Sequence, residues 1–226
     1  MKMRSYALLR LSLFSGASLL LSSCSTLNFF KKDPTSATPQ VQADATPAKP
    51  ENPHPPGSYE AFKWGSYPGT TRSWKDDALL AQANSSNTKV KIDLSDQRGF
   101  LLVNDAIAMD YRVSTGRSSH KTPTGSYKIT EKIRDKRSNL YGRIVNSAGK
   151  TVKSGADSRK HKVPSGGKFI GASMPYWMRL TNGGVGMHQG NVGRRYASHG
   201  CIRTHRAAVP IVFAKTKVGT PVTIQP

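Results

Sequence analysis

The chain has 226 residues, with 34 Lys and Arg against 13 Asp and Glu, for a formal charge of +21. Such an excess implies a polyanionic neighbourhood. The two cysteines, Cys24 and Cys201, are too few for the multi-bridge framework of a small secreted domain.

Residues 1–23 read as an export signal. Lys2, Arg4 and Arg10 form a basic start, and Leu11 to Leu21 an apolar stretch broken only by Ser and Gly. That stretch is too short to span a membrane, which takes about 20 apolar residues. Leu21-Ser22-Ser23-Cys24 resembles a bacterial lipobox, in which the cysteine is diacylated and becomes the mature N-terminus. Several lipid chains hold a protein firmly where one holds it marginally. Ser25 after the cysteine points to the outer membrane of a two-membrane envelope, hence a lipid anchor on the periplasmic face. Losing the leader removes three basic residues and no acid, leaving +18. In that compartment the anionic partner expected is wall polymer, lipopolysaccharide or phospholipid head groups, and no nucleic acid. With Cys24 lipidated, Cys201 has no intramolecular partner and stays a free thiol.

Residues 24–57 are rich in Pro, Ala, Thr, Lys and Gln and end in Pro53-His54-Pro55-Pro56-Gly57, with no aromatic residue between Phe30 and Tyr59. This composition cannot bury a core and reads as an extended tether. Residues 58–87 carry Tyr59, Phe62, Trp64, Tyr67 and Trp74, an extension expected to pack on the following domain. Asp76 to Ala83 suits a short helix.

Residues 88–226 are long enough for one domain with a real core. Lys89 to Leu94 alternates polar and apolar, the strand period. The turn Ser95 to Gly99, a strand from Phe100 to Val103, the turn Asn104-Asp105 and a strand from Ala106 to Ser114 predict an antiparallel meander. Pro123-Thr124-Gly125 turns into a strand over 127–130. Residues 131–167, basic and glycine-containing, read as a long loop or insertion. Phe169 to Leu180 is apolar, and Val185 to His188 reads as a core strand that delivers His188 to a cleft. Apolar positions between Arg206 and Lys217 predict a helix with Thr204 as N-cap, Pro210 in its first turn and Gly219 at its end. Residues 221–224 form a last strand. The chain is mainly β with one or two helices.

The chemistry concentrates in Ser198-His199-Gly200-Cys201-Ile202-Arg203. A lone cysteine two residues after a histidine has the setting of a nucleophile, because a thiolate needs a base or cation beside the sulfur. His188, 13 positions upstream in Gly186-Met187-His188-Gln189-Gly190, is a second candidate. His188, His199 and His205 with Cys201 match no regular zinc spacing, and a ligated thiol could not attack, so no metal or other cofactor is expected.

These two segments resemble the active-site signature of the L,D-transpeptidase catalytic domain, the YkuD-type family. Ser114-Thr115-Gly116, Thr122-Pro123-Thr124-Gly125-Ser126-Tyr127, Met174-Pro175-Tyr176-Trp177-Met178-Arg179-Leu180 and Val218-Gly219-Thr220-Pro221-Val222 extend the resemblance over roughly 88–225. It implies a mixed, mainly antiparallel β-sandwich or barrel-like sheet capped by a helix. It implies that Cys201 attacks residue three of a peptidoglycan tetrapeptide stem, expels the terminal D-Ala and passes the acyl group to an amine of a neighbouring stem as a 3→3 cross-link. Water as acceptor would make a carboxypeptidase or endopeptidase, and an amine of an envelope protein would tether that protein to the wall. A non-catalytic wall anchor is the reading from another class. His188 is the expected base. Gly190 departs from the His-Gly order common in the family. His199 polarises Cys201, touches substrate or braces the loop. Gly200 lets the backbone approach the substrate, and the N–H groups around Gly200 and Cys201 form an oxyanion hole. Ser198 braces the loop. Arg203 suits a stem-peptide carboxylate or the site's own framework, and Tyr176 and Trp177 are candidates to line the peptide groove.

Overall fold

The computed structural model describes residues 50–84, 86–193 and 196–226. The expected export signal over 1–23, Cys24 and most of the expected tether over 24–57 therefore lie outside the described residues. Residues 50–226 form one compact unit.

The elements run in the order α1 (Tyr59–Lys63), β1 (Trp74–Lys75), α2 (Asp77–Gln82), β2 (Thr88–Asp93), β3 (Arg98–Val103), β4 (Ala106–Ser114), β5 (Gly125–Lys128), β6 (Glu131–Val145), β7 (Thr151–Asp157), β8 (Lys168–Arg179), β9 (Gly186–Gln189), β10 (Ile202–Thr204), α3 (Val209–Lys215) and β11 (Pro221–Gln225). The strands pair as β5-β11-β2-β3-β4-β10-β9-β8-β6-β7, with β1 added on β4. Two pairings are parallel, β10 with β9 and β11 with β2; the remainder are antiparallel. Between β5 and β6 the sheet bends back on itself: the Ile129 N–H donates to Thr220 O and the Thr130 N–H to Arg179 O, at 3.0 and 2.9 Å. The result is the mainly β, barrel-like architecture expected, with three short helices.

The β2–β4 meander follows its local pattern. Thr88, Val90 and Ile92 are buried while Lys89 between them is exposed. Asn104 and Asp105 both take left-handed φ, 49° and 66°, as a two-residue hairpin turn of the favoured hand requires. The inner face packs Leu101, Val103, Met109, Met187 and Ile202 against Leu80 of α2 and Val209 and Val212 of α3. Each such side chain contributes about 1.5–3 kcal/mol on burial.

β4 is buried on both faces, because residues 59–72 cover the outer one. The Arg98–Asp110 ion pair is 0% exposed on both sides. Arg98 Nε donates to Asp110 Oδ1 at 2.7 Å, Tyr59 Oη to Asp110 Oδ2 at 2.8 Å, and Arg98 Nη1 to Thr70 O at 2.8 Å. The rings of Phe62 and Tyr67 lie 5.4 and 5.3 Å from the guanidinium. Burial raises the Asp110 carboxyl above its usual range, against the pull of Arg98 and Tyr59.

Two expectations are corrected. Residues 131–167 are not a long loop: β6 and β7 form a hairpin ribbon, and β6 also pairs with β8 from Glu131↔Arg179 to Val145↔Lys168. Most of β6 is exposed or only partly buried, so no apolar alternation marks it in sequence. The helix predicted from about 206 is shorter, Val209–Lys215, and Thr204 ends β10 instead of capping it. Pro210 does sit in the first turn. Lys132 of β6, unnoticed in sequence, donates Nζ to Phe213 O and Thr216 O at the C-terminal end of α3, where a cation meets the negative end of the helix dipole.

Candidate active site

The parallel pairing of β9 and β10 sets Arg203 level with His188, and Ile202 level with Met187. Side chains alternate along a strand, so Cys201 and Arg203 share a face, and His188 stands on that face of the neighbouring strand. Cys201, His188, Ser198, His199 and Arg203 all line one cleft of about 510 Å³, whose far wall includes Tyr141, Ser173 and Met174.

His188 is 7% exposed. Its Nδ1 lies 2.7 Å from Gln189 O. A carbonyl oxygen only accepts, so Nδ1 carries the proton and Nε2 keeps the lone pair. Burial pushes the ring down to about 4, with the charge of Arg203 adding to the fall and the Gln189 bond opposing it. Its resting state near neutrality is a free base.

Cys201 is half-buried. Its Sγ donates to Gly184 O at 3.5 Å and accepts from the Gly186 N–H. Burial pushes the thiol up; the Gly186 N–H and Arg203 pull it down but do not win. The expected lowering by a neighbouring base is thus absent at rest, because desolvation outweighs one nearby cation. The resting pair is neutral thiol and neutral imidazole.

The loop holding Cys201 is pinned from both ends. The Ala197 and Ser198 N–H groups donate to Thr115 O, and the Arg117 N–H to Ser198 O. Gln97 fixes Thr115 through Nε2 to Oγ1 at 2.7 Å and Oε1 from its N–H at 2.9 Å. Thr122 Oγ1 donates to Gly200 O at 2.8 Å and accepts from the Gly116 N–H at 2.9 Å. Ser198 Oγ donates to Cys201 O and accepts from the Gly200 N–H at 3.0 Å. That last bond corrects one expectation: the Gly200 N–H is spent inside the loop and does not face an oxyanion. Gly200 has φ +106°, which side chains rarely adopt.

Arg203 rests its aliphatic stem on Gly190. A Cβ there would lie 2.8–2.9 Å from Arg203 Cγ, Cβ and Cδ, a close approach that only glycine permits.

His199 accepts at Nε2 from Arg117 Nη2, 2.8 Å away. Its ring stacks on Tyr141 at 4.3 Å and meets His120 edge-on at 4.8 Å. Burial, then the charges of Arg117, His120 and Arg203, push it down. Trp177 does not line the cleft. It is 2% exposed, donates Nε1 to Glu131 Oε2 at 2.7 Å, and lies 6.1 Å from the His188 ring. Tyr176 also points elsewhere, its ring against Phe213 and the Arg134 guanidinium at 5.5 and 5.4 Å. Strand alternation cannot send both neighbours into one groove, and the core took the larger apolar ring. Tyr141, Arg117 and Gln97 escaped sequence reasoning. Tyr141 sits in the stretch read as loop, and nothing local marks the other two. Among the described residues no group of three or more His, Cys, Asp or Glu side chains could hold a metal ion, and no helix is long and apolar enough to cross a membrane.

The family model for the L,D-transpeptidase catalytic domain (YkuD) matches residues 87–224. Similar solved structures include an L,D-transpeptidase from Mycobacterium smegmatis, 18% identical over 62% of this chain and 59% of that one, with a TM-score of 0.47. One from Stackebrandtia nassauensis is 17% identical over 66% and 63%, TM-score 0.45. L,D-transpeptidase 3 from Mycobacterium tuberculosis is 21% identical over 62% and 61%, TM-score 0.45. In each case the match spans less than two thirds of the other chain. No curated protein sequence matches. Since the family model covers more than half of the 226 residues, the chain belongs to the L,D-transpeptidase catalytic domain (YkuD) family.

Proposed function

We propose that the chain is a cysteine acyltransferase of the cell envelope, an L,D-transpeptidase acting on peptidoglycan stem peptides. The observation that supports this most is the tautomer of His188, whose Nδ1–H is held by Gln189 O, leaving Nε2 as base in the cleft shared with Cys201. A base with a low pKa and a thiol with a raised one do not form an ion pair at rest. Proton transfer therefore accompanies attack. As Cys201 Sγ bonds to the carbonyl carbon of stem residue three, its proton passes to His188 Nε2. The tetrahedral oxyanion is stabilised by the Cys201 N–H and the charge of Arg203. Collapse breaks the bond to the terminal D-Ala, whose amine leaves with the proton from His188. An amine of a neighbouring stem then attacks the thioester, giving its proton to His188, which returns it to the departing thiolate. The product is a 3→3 cross-link, and the energy of the cleaved bond is carried in the thioester without a nucleotide.

The protein works at the periplasmic face, anchored in the outer membrane through a lipidated Cys24 and reaching the wall by residues 25–57. The test is intact-mass analysis of the protein with a disaccharide-tetrapeptide, beside Cys201→Ala. A covalent adduct on wild type alone, with D-Ala release and a 3→3 dimer, supports the proposal. D-Ala release without dimer assigns water or a protein amine as acceptor. Neither adduct nor release refutes it and leaves the wall anchor.

A further inference from the structure

The cleft at Cys201 continues beyond the stacked rings of Tyr141 and His199. Behind them lies a second cavity of about 260 Å³, and Tyr141, Arg159 and His199 line both. Its other walls come from Arg117 and His120, after β4, and from the end of β7 through Lys160 and His161.

The side chains of this cavity are short of negative charge. Asp157 is the one carboxylate in its lining, and Arg159 occupies both its oxygens, Nε on Oδ1 at 3.0 Å and Nη2 on Oδ2 at 2.7 Å. Those bonds hold the Asp157 carboxyl far below its usual range, so it is a spent counter-ion. The donors are not spent. Arg117 uses Nε on Ser119 Oγ at 3.1 Å and Nη2 on His199 at 2.8 Å, out of the five N–H groups of a guanidinium. Lys160 has no ion-pair partner among the described residues. His161 is held at Nδ1 against the Asp157 backbone, 3.0 Å from its N and 3.1 Å from its O. Cationic and N–H donors around a cavity whose one acid is neutralised make a receptor for an anion.

The cavity shares the walls of Tyr141, Arg159 and His199 with the thiol cleft, His199 stands two residues before Cys201, and one peptide residue spans about 3.5 Å. A group one residue from the scissile carbonyl is therefore in reach. On the proposed function, which this inference rests on, the stem peptide carries carboxylates at that distance. We propose that the cavity is a subsite for a free carboxylate of the stem peptide, with Arg117 and Lys160 as its charged partners. The carboxylate is either the C-terminus of the leaving residue or a side-chain carboxylate of residue three.

Acylation rates of the full-length protein, followed by intact mass, test this with three tetrapeptides: free, amidated at the C-terminus, and amidated on a residue-three side chain. One amide is expected to acylate about ten- to a hundredfold more slowly, the loss of one charge-assisted hydrogen-bonded contact, and which amide does so names the source. Lys160→Gln and Arg117→Gln should each narrow that gap, and Arg117→Lys should restore part of it. The proposal is overturned if wild type treats all three peptides alike. It is also overturned if Arg117→Gln slows all three equally, since Arg117 then serves only to hold His199. If wild type acylates none, the proposed function falls, and the subsite with it.

Discussion

His188 offers the sharpest test of how burial shapes this site. The ring is held at about 4 in the folded protein against 6.5 for a free imidazole, and each unit of difference corresponds to about 1.4 kcal/mol. The folded state thus binds fewer protons than the unfolded chain between these two values. Above pH 6.5 neither state is protonated and His188 costs nothing. As pH falls from 6.5 towards 4 the unfolded chain gains a proton that the fold refuses, and stability drops by about 3 kcal/mol. The experiment is urea unfolding of residues 50–226 at half-unit steps from pH 7.5 to 4, for wild type and His188→Gln. Carboxylates titrate in both proteins, so the difference between the two curves isolates His188. That difference should be flat above pH 6.5 and change by about 3 kcal/mol below it. Acylation by wild type should correspondingly persist at pH 5, where an ordinary histidine would be protonated. A difference curve flat throughout, or acylation lost with a midpoint near 6.5, would refute a buried neutral base.

Asp110→Asn removes the counter-ion of Arg98 inside a shell with no access to water. It should destabilise the fold by about 3–5 kcal/mol, read as a lower urea midpoint; a loss under 1 kcal/mol would mean that residues 59–72 do not seal the pair. Thr122→Val strands the Gly116 N–H and the Gly200 C=O together, each at about 1–3 kcal/mol. Acylation should slow through kcat with little change in KM, because the loop carrying Cys201 loses its brace; unchanged kcat would show that the other bonds hold it alone.

The meander was legible because its information is local. Side chains at Val90 and Ile92 alternate with lysines, and the residues at Asn104 and Asp105 tolerate left-handed turns. The β6–β7 ribbon was illegible for the converse reason: strands with few buried side chains need no apolar alternation, so a basic, polar stretch folded as strand where composition suggested loop.

By itself the sequence determined which groups are available for chemistry: Cys201 as the one cysteine besides Cys24, histidines two and 13 residues before it, and a glycine that frees the backbone next to it. The tertiary structure alone decided their neighbours and their protonation. Parallel pairing of β9 with β10 set Arg203 beside His188, Tyr141 arrived on His199 from a distant ribbon, and Trp177 went to the core behind His188 instead of into the groove. Residue type fixes what a group can donate or accept, whereas pKa and contact depend on what chain segments far apart in sequence exclude water from it.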